Sequence, residues 1–262
     1  MFLASRTGLK QQLTWLVEMA KSADEAEFDW LLKVDVEATI AQLIQILTDC
    51  TAGISKTPKQ YNLFYCSQNQ LDVIRISTTL EGFKITNADI NIKLSSKHPM
   101  QTIKTCIKET PNNPFCWRLH QVQDATNHLG NAIDLLKSTS SRLRSLEEVL
   151  QLINDVMNSL QRSRSSLLIP RKRTIEELQH SQNMQSIRPA LPLDHSISFY
   201  VQAHNLVCSV YQLSQNNSGP QIRAEYQAET SIPFLSEVLV FLSLGLQTCQ
   251  QMKDKLQIFS NT

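Results

Sequence analysis

Glycine is scarce in this chain, six among 262 residues, and none of the six falls in a Gly-rich run. Phosphate-cradling loops, which need glycine so that the backbone can approach a phosphate closely, are therefore excluded. The G-x-S-x-G elbow of hydrolases and the kinase signature set are missing as well. No C-x-x-C and no H-E-x-x-H pair occurs. The six histidines (His98, His120, His128, His180, His195, His204) form no cluster with cysteine at zinc-ligand spacing. No catalytic residue, metal or cofactor is expected. His128, one residue before Leu129, reads as the border of a core, and the adjacent carboxylates Glu147/Glu148 and Glu176/Glu177 read as solvated faces, because neighbours on a helix point apart.

A surplus of either charge is also missing. The formal net charge is +1, so no global field draws the chain to nucleic acid or anionic lipid, and no nucleic-acid partner is expected. The most apolar stretch, IPFLSEVLVFLSLGL from Ile232 to Leu246, contains Glu237 and falls short of the ~20 residues a bilayer crossing needs. Near the N-terminus Arg6, Lys10 and Glu18 interrupt any secretory apolar region, so a cytoplasmic protein is expected. The sequon at Asn216–Ser218 then reads as a chance match. Six widely spaced cysteines read as reduced, buried thiols of a cytosolic protein.

What is present is ordinary globular composition, 42% hydrophobic and 19% charged, in a chain long enough to bury roughly three quarters of its unfolded surface. From Glu27 the residues Leu32, Val36, Ile40, Leu43 and Leu47 recur at steps of three or four, which predicts an amphipathic helix ending near Gly53 and Pro58. From Tyr61 the period changes to two, through YNLFYC, DVIRISTTLEG and FKITNADINIKL, which predicts an antiparallel meander with a fourth strand at Thr102 to Lys108. After Pro114 the helical period returns with Leu119, Val122, Leu129, Ile133 and Leu136, then again with Leu146, Leu150, Ile153, Met157 and Leu160.

Leu129, Leu136, Leu143 and Leu150 stand seven apart, the spacing of a leucine zipper. The run Ser138 to Ser141 falls in its middle, and hydroxyl side chains favour turns and caps. An antiparallel helical hairpin accounts for the same leucines and is preferred to one continuous helix. Ile169 to Pro192 reads as an irregular connector. His195 to Leu213 is ambiguous, strand-like in its first part and helix-like in its second, and Gln221 to Thr230 alternates like a strand. A last helix runs from Ile232 to Phe259 through Leu235, Val238, Leu242, Gly245, Cys249, Met252 and Leu256, where Gly245 leaves a gap for a bulky side chain of another helix.

These periods predict an α+β protein in which the antiparallel helices form one bundle and the alternating segments an antiparallel β-sheet. The bundle takes residues 27–52, 115–167 and 232–260, the sheet 60–110 and about 195–230, with 1–26 an N-terminal extension and 168–192 the connector. The expected seam comprises Leu129, Leu136, Leu150, Leu242, Met252 and Leu256. Arg171, Lys172 and Arg173, near Arg162 and Arg164, form a candidate partner-binding patch or nuclear signal. Cations near a helix C-terminus plus a soluble loop account for them more simply.

The segments EFDWLL (Glu27 to Leu32), QVQDATNHLGNAIDLL (Gln121 to Leu136) and IPFLSEVLVFLSLGLQTCQQMKDKLQIFS (Ile232 to Ser260) resemble the Rogdi proteins. The resemblance covers about Glu27 to Ser260, with Gln161 to Ser186 weakly matched, so the basic patch draws no support from it. It implies an elongated protein, an antiparallel helical bundle with an adjoining antiparallel β-sheet domain whose segments interleave in sequence. It also implies a non-catalytic subunit of the RAVE or rabconnectin assembly, which helps the cytosolic sector of the vacuolar-type proton ATPase rejoin its membrane sector. The implied partners are a rabconnectin-type scaffold and proton-pump subunits. The implied setting is the cytoplasm, with peripheral attachment to endosomal or synaptic vesicles, association with the nuclear envelope, and roles in sleep and memory. The chain alone is expected to be a monomer. The competing expectation is a homodimer built on the leucine seam, with a structural or nuclear role.

Overall fold

The computed structural model describes residues 30–54, 57–95, 101–108, 117–139, 145–171, 173–216 and 219–260. Helix α1, Val36–Gly53, follows a π-helical turn, Leu31–Asp35. Its buried residues Val36, Ile40, Leu43, Leu47 and Cys50 step by three or four along one face, as an amphipathic helix requires.

Nine strands form one antiparallel sheet: β1 Lys59–Cys66, β2 Val73–Glu81, β3 Lys84–Leu94, β4 Gln101–Lys108, β5 Trp117–Arg118, β6 Ile187–Arg188, β7 His195–Gln202, β8 Asn205–Asn216 and β9 Gly219–Ser231. The order is β6-β4-β3-β2-β1-β9-β8-β7, with β5 added on β3. In β2 the buried residues Ile74, Ile76, Thr78 and Leu80 alternate with more exposed ones. In β3 the buried set moves from Ile85 to Ala88, Ile90, Ile92 and Leu94, because a register shift at Thr79/Leu80 inserts one residue, so that even positions replace odd ones on the same buried face. A single ladder pair, Phe64 with Glu229, joins the meander β1–β4 to the hairpins β7–β9.

Helix α2, His120–Thr139, and helix α3, Leu146–Leu168, are antiparallel. Ser163 Oγ near the end of α3 donates to the Ala125 carbonyl near the start of α2, 3.0 Å away. Ser145 caps α3 reciprocally: the Ser145 hydroxyl accepts from the Glu148 N–H, and the Glu148 carboxylate accepts from the Ser145 N–H. The heptad leucines therefore lie on two helices, Leu129 and Leu136 on α2 and Leu150 on α3. Leu143 lies outside the described residues. Leu129, Leu136, Leu242, Met252 and Leu256 are buried, whereas Leu150 is half-buried. The buried face of α3 runs instead through Val149, Leu152, Ile153, Val156, Leu160 and Leu167.

Helix α4, Ile175–His180, a 3-10 turn at Gln182–Ser186 and strand β6 occupy the stretch read from sequence as an irregular connector. Thr174 and Glu177 close a second capping box at the start of α4. The ambiguous His195 to Leu213 is hairpin β7–β8, with Ala203 in the left-handed region at its turn. Its helix-like spacing comes from burial on both faces, which removes the alternation of a half-exposed strand. Ile197, Phe199, Val201, Leu206, Cys208 and Val210 join the main core, while Leu178 of α4 packs with Tyr211 and Leu213 in a separate cluster.

Helix α5, Pro233–Ser260, packs on α1 and α3. It runs antiparallel to α1, since Cys50 meets the Val238 carbonyl at one end and Lys255 pairs with Asp35 at the other, 2.9 Å apart. One continuous core joins the long helices to the sheet. The gap at Gly245 is filled: a Cβ there would lie 3.2 Å from Leu160 Cδ1 and 3.4 Å from Leu47 Cδ2. Gly245→Val should therefore overpack the crossing and cost about 1–3 kcal/mol. Calorimetry should show Tm falling by about 2–4 °C for each kcal/mol lost; an unchanged Tm would contradict this packing.

Candidate functional site

The site is assembled around one buried side chain, Gln121, in the first turn of α2. Its Nε2 donates to the carbonyls of Ser166 (3.0 Å), Ile169 (2.8 Å) and Val201 (2.8 Å), and its Oε1 accepts from the Val201 N–H at 2.9 Å. The last carbonyls of a helix have no partner within it, and here Gln121 supplies one for the end of α3. The Ala203 N–H adds a second, donating to the Leu167 carbonyl at 2.8 Å. The start of α2, the end of α3 and strand β7 are thereby tied to one another.

The residues on either side of this tie form a cleft of about 890 Å³, lined by His120, Arg171, Arg173, Glu176, Glu177, Ser181 and Asn183. The indole of Trp117, in β5 just before α2, is fully buried beneath it and meets Phe199 edge to face at 5.3 Å between centroids. The Arg173 guanidinium lies 5.6 Å from the Trp117 centroid and donates through Nη1 to Ser181 Oγ at 2.9 Å. Burial holds the Arg173 pKa below its usual value; Glu177 opposes this and Arg171 adds to it, while Tyr211 opposes it more weakly. The His120 pKa is also lowered, first by desolvation against the cleft wall although the residue is exposed, then by Arg171 and Arg173. Asp124 opposes that lowering and Arg118 adds to it.

Arg171 and Arg173 are thus brought together, and Lys172 lies outside the described residues. Arg173 is no free loop cation, because its aromatic and hydroxyl partners fix it. Sequence reasoning missed His120, Ser181 and Asn183, which reach the cleft through tertiary contacts and carry no local signal. Thr174-Ile-Glu-Glu177 carries the spacing of a capping box, a signal that the reading of an irregular connector passed over.

The thiols differ from the expectation of general burial. Cys50, Cys208 and Cys249 are buried, but Cys66 is exposed and Cys106 partly so. Alternation in β1 places Cys66 on the outward face with Asn62 and Phe64. Burial pushes Cys50 and Cys249 up to about 12 and raises Cys208 as well, so these three stay protonated and poor as nucleophiles. Among the described residues no group of three or more His, Cys, Asp and Glu side chains is arranged to hold a metal ion, and no helix is long and apolar enough to cross a membrane.

A family model described as Rogdi leucine zipper containing protein matches residues 27–226. Protein rogdi of Drosophila melanogaster is 40% identical over 243 residues, spanning 90% of this chain and 88% of the relative. The Homo sapiens rogdi homolog is 32% identical over 272 residues, with 90% and 92% spanned. The Caenorhabditis elegans homolog is 23% identical over 256 residues, with 87% and 86% spanned.

The chain belongs to the Rogdi family. None of these relatives carries an enzyme's name. The zipper in the family's description is not one continuous helix in this Rogdi chain, since Ser145 is extended and α2 and α3 run antiparallel.

Two measurements check the site. Gln121→Leu leaves the buried Val201 N–H and Val201 carbonyl without this partner, a loss of about 1–3 kcal/mol for each unpaired group. The urea midpoint should fall and the Val201 amide should exchange faster with solvent. For His120, proton NMR should give a titration midpoint below that of an unhindered histidine, moving up in Arg171→Ala. The folded ring binds its proton less readily than the unfolded one, so stability declines as pH falls through the ordinary histidine range, and His120→Gln should remove that part of the decline.

Proposed function

We propose that this chain is a non-catalytic adaptor subunit of a RAVE or rabconnectin-type assembly, which promotes rejoining of the cytosolic and membrane sectors of the vacuolar-type proton ATPase. The observation that carries the reading is family membership across 90% of the chain. Its partners in this reading are a rabconnectin-type scaffold and proton-pump subunits, met in the cytoplasm or at endosomal and synaptic vesicle surfaces, with neuronal roles that include sleep and memory. The finer architecture we propose is an elongated helical bundle beside the sheet, with segments interleaved in sequence, and a monomer when alone.

The competing reading is a leucine-seam homodimer. Burial of Leu129, Leu136, Leu242, Met252 and Leu256 within one chain weighs against it, because those side chains are not available to a second copy. Affinity purification of the tagged protein from cytosol and vesicle fractions, with mass spectrometry, tests the adaptor reading. Recovery of a rabconnectin-type scaffold with pump subunits is the expected result; the bait alone, or chromatin proteins, would overturn it. Light scattering of the pure protein should give the mass of one chain, and twice that mass would favour the homodimer.

A further inference from the structure

We propose that the cleft beside α2 docks an acidic segment of a partner protein, with a carboxylate of that segment held by Arg171 and Arg173 next to His120. The inference rests on the adaptor reading and deepens it by naming the surface and the chemistry it recognises.

Three observations support it. Arg171 and Arg173 line the cleft together with His120, and Arg118, Arg171 and Arg173 all act on His120 electrostatically with Asp124 opposing them, so cations gather around His120. Arg173 is already oriented by the Trp117 ring and Ser181, so binding through it loses less side-chain freedom than binding through an unrestrained surface arginine. A guanidinium has more donors than the Ser181 contact uses, and its fork matches a carboxylate. The opening of about 890 Å³ admits a peptide side chain together with neighbouring backbone.

Two carboxylates set the polarity of the bound segment. Glu176 and Glu177 also line the cleft, and Glu177 is held in the Thr174 capping box. A uniformly acidic ligand would be repelled there, so the carboxylate faces His120 while neutral or basic groups of the same segment face α4. Arg171 is exposed and makes the recognising contact adjustable, whereas Arg173 is the fixed part.

The test is fluorescence anisotropy of the full chain with a labelled peptide of alternating Glu and Ser, against an otherwise identical peptide of Gln and Ser. Saturable binding of the Glu peptide is expected, weakened by salt and at least about tenfold weaker in Arg171→Ala, as loss of a charge-assisted contact implies. Since Arg171 is exposed, that variant should keep the wild-type Tm, which separates docking from folding. Arg173→Gln should weaken binding too. The His120 NMR midpoint should move up when the Glu peptide is added, because a nearby anion favours the protonated ring. Equal binding of the two peptides, no binding, or equal affinity of wild type and Arg171→Ala would overturn the proposal. So would binding to inorganic phosphate or to phosphatidylserine vesicles with none to the Glu peptide. Wild-type bait that recovers the scaffold but ignores the peptide overturns this docking site and leaves the adaptor reading standing; bait that recovers no scaffold overturns the adaptor reading itself.

Discussion

The side chain of Gln121 is the constraint on which the helix-to-sheet junction depends. A carboxamide carries both donors and an acceptor, and here it meets carbonyls at the end of α3 and both backbone polar groups of Val201. β7 is an edge strand, and an edge exposes backbone groups that must be covered. Helix α3 ends with carbonyls that have no partner in the helix. One residue answers both needs, at 7% exposure, where water cannot substitute freely. His120 precedes it and Arg171 follows the carbonyl it holds at Ile169. The cleft therefore takes its shape from the core.

The electrostatics of the cleft follow from the same junction. A partly buried guanidinium loses hydration and is stable only where compensation is at hand. Arg173 has the face of Trp117, the hydroxyl of Ser181 and the field of Glu177. Glu177 in turn is fixed by Thr174, so α4 is both a wall of the cleft and a source of the charge that tolerates Arg173. Shortening α4 or removing its cap would change the charge balance and the outline of the cleft together.

Much of this fold could be read from the chain because the period of apolar residues reports a single buried face. That condition held for α1, α5, β2 and β3, and the serine run located the break between α2 and α3. It failed where a strand is covered on both sides: Leu206, Val207, Cys208 and Val210 are all buried, so β8 shows no alternation and imitates a helix. In α3 the sequence period runs through Leu146, Leu150, Ile153, Met157 and Leu160; Ile153 and Leu160 are buried, but Val149, Leu152 and Val156 lie deeper than the partly buried Leu146, Leu150 and Met157. Of the candidate site, Arg171 and Arg173 were visible as a basic cluster, but nothing local joins them to His120, because the connection passes through Gln121 and the Ile169 carbonyl.

Leucines at heptad spacing invite a search for a second helix from another molecule, yet this chain uses its own. Leu160 of α3 and Leu47 of α1 close on Gly245 of α5, and Ser163 buries its hydroxyl against the Ala125 carbonyl instead of exposing a polar break in the seam. Apolar side chains already enclosed at zero or near-zero exposure have no surface left to give to a partner. The large apolar residues still open on α5 include Val240, Leu244 and Ile258, and Trp30, Val34, Phe64, Ile169 and Leu193 are open elsewhere, so the apolar surface a partner can reach lies outside the enclosed seam. The cleft proposed as a docking site offers polar and charged surface. Such surface contributes to specificity and association rate more than to raw affinity.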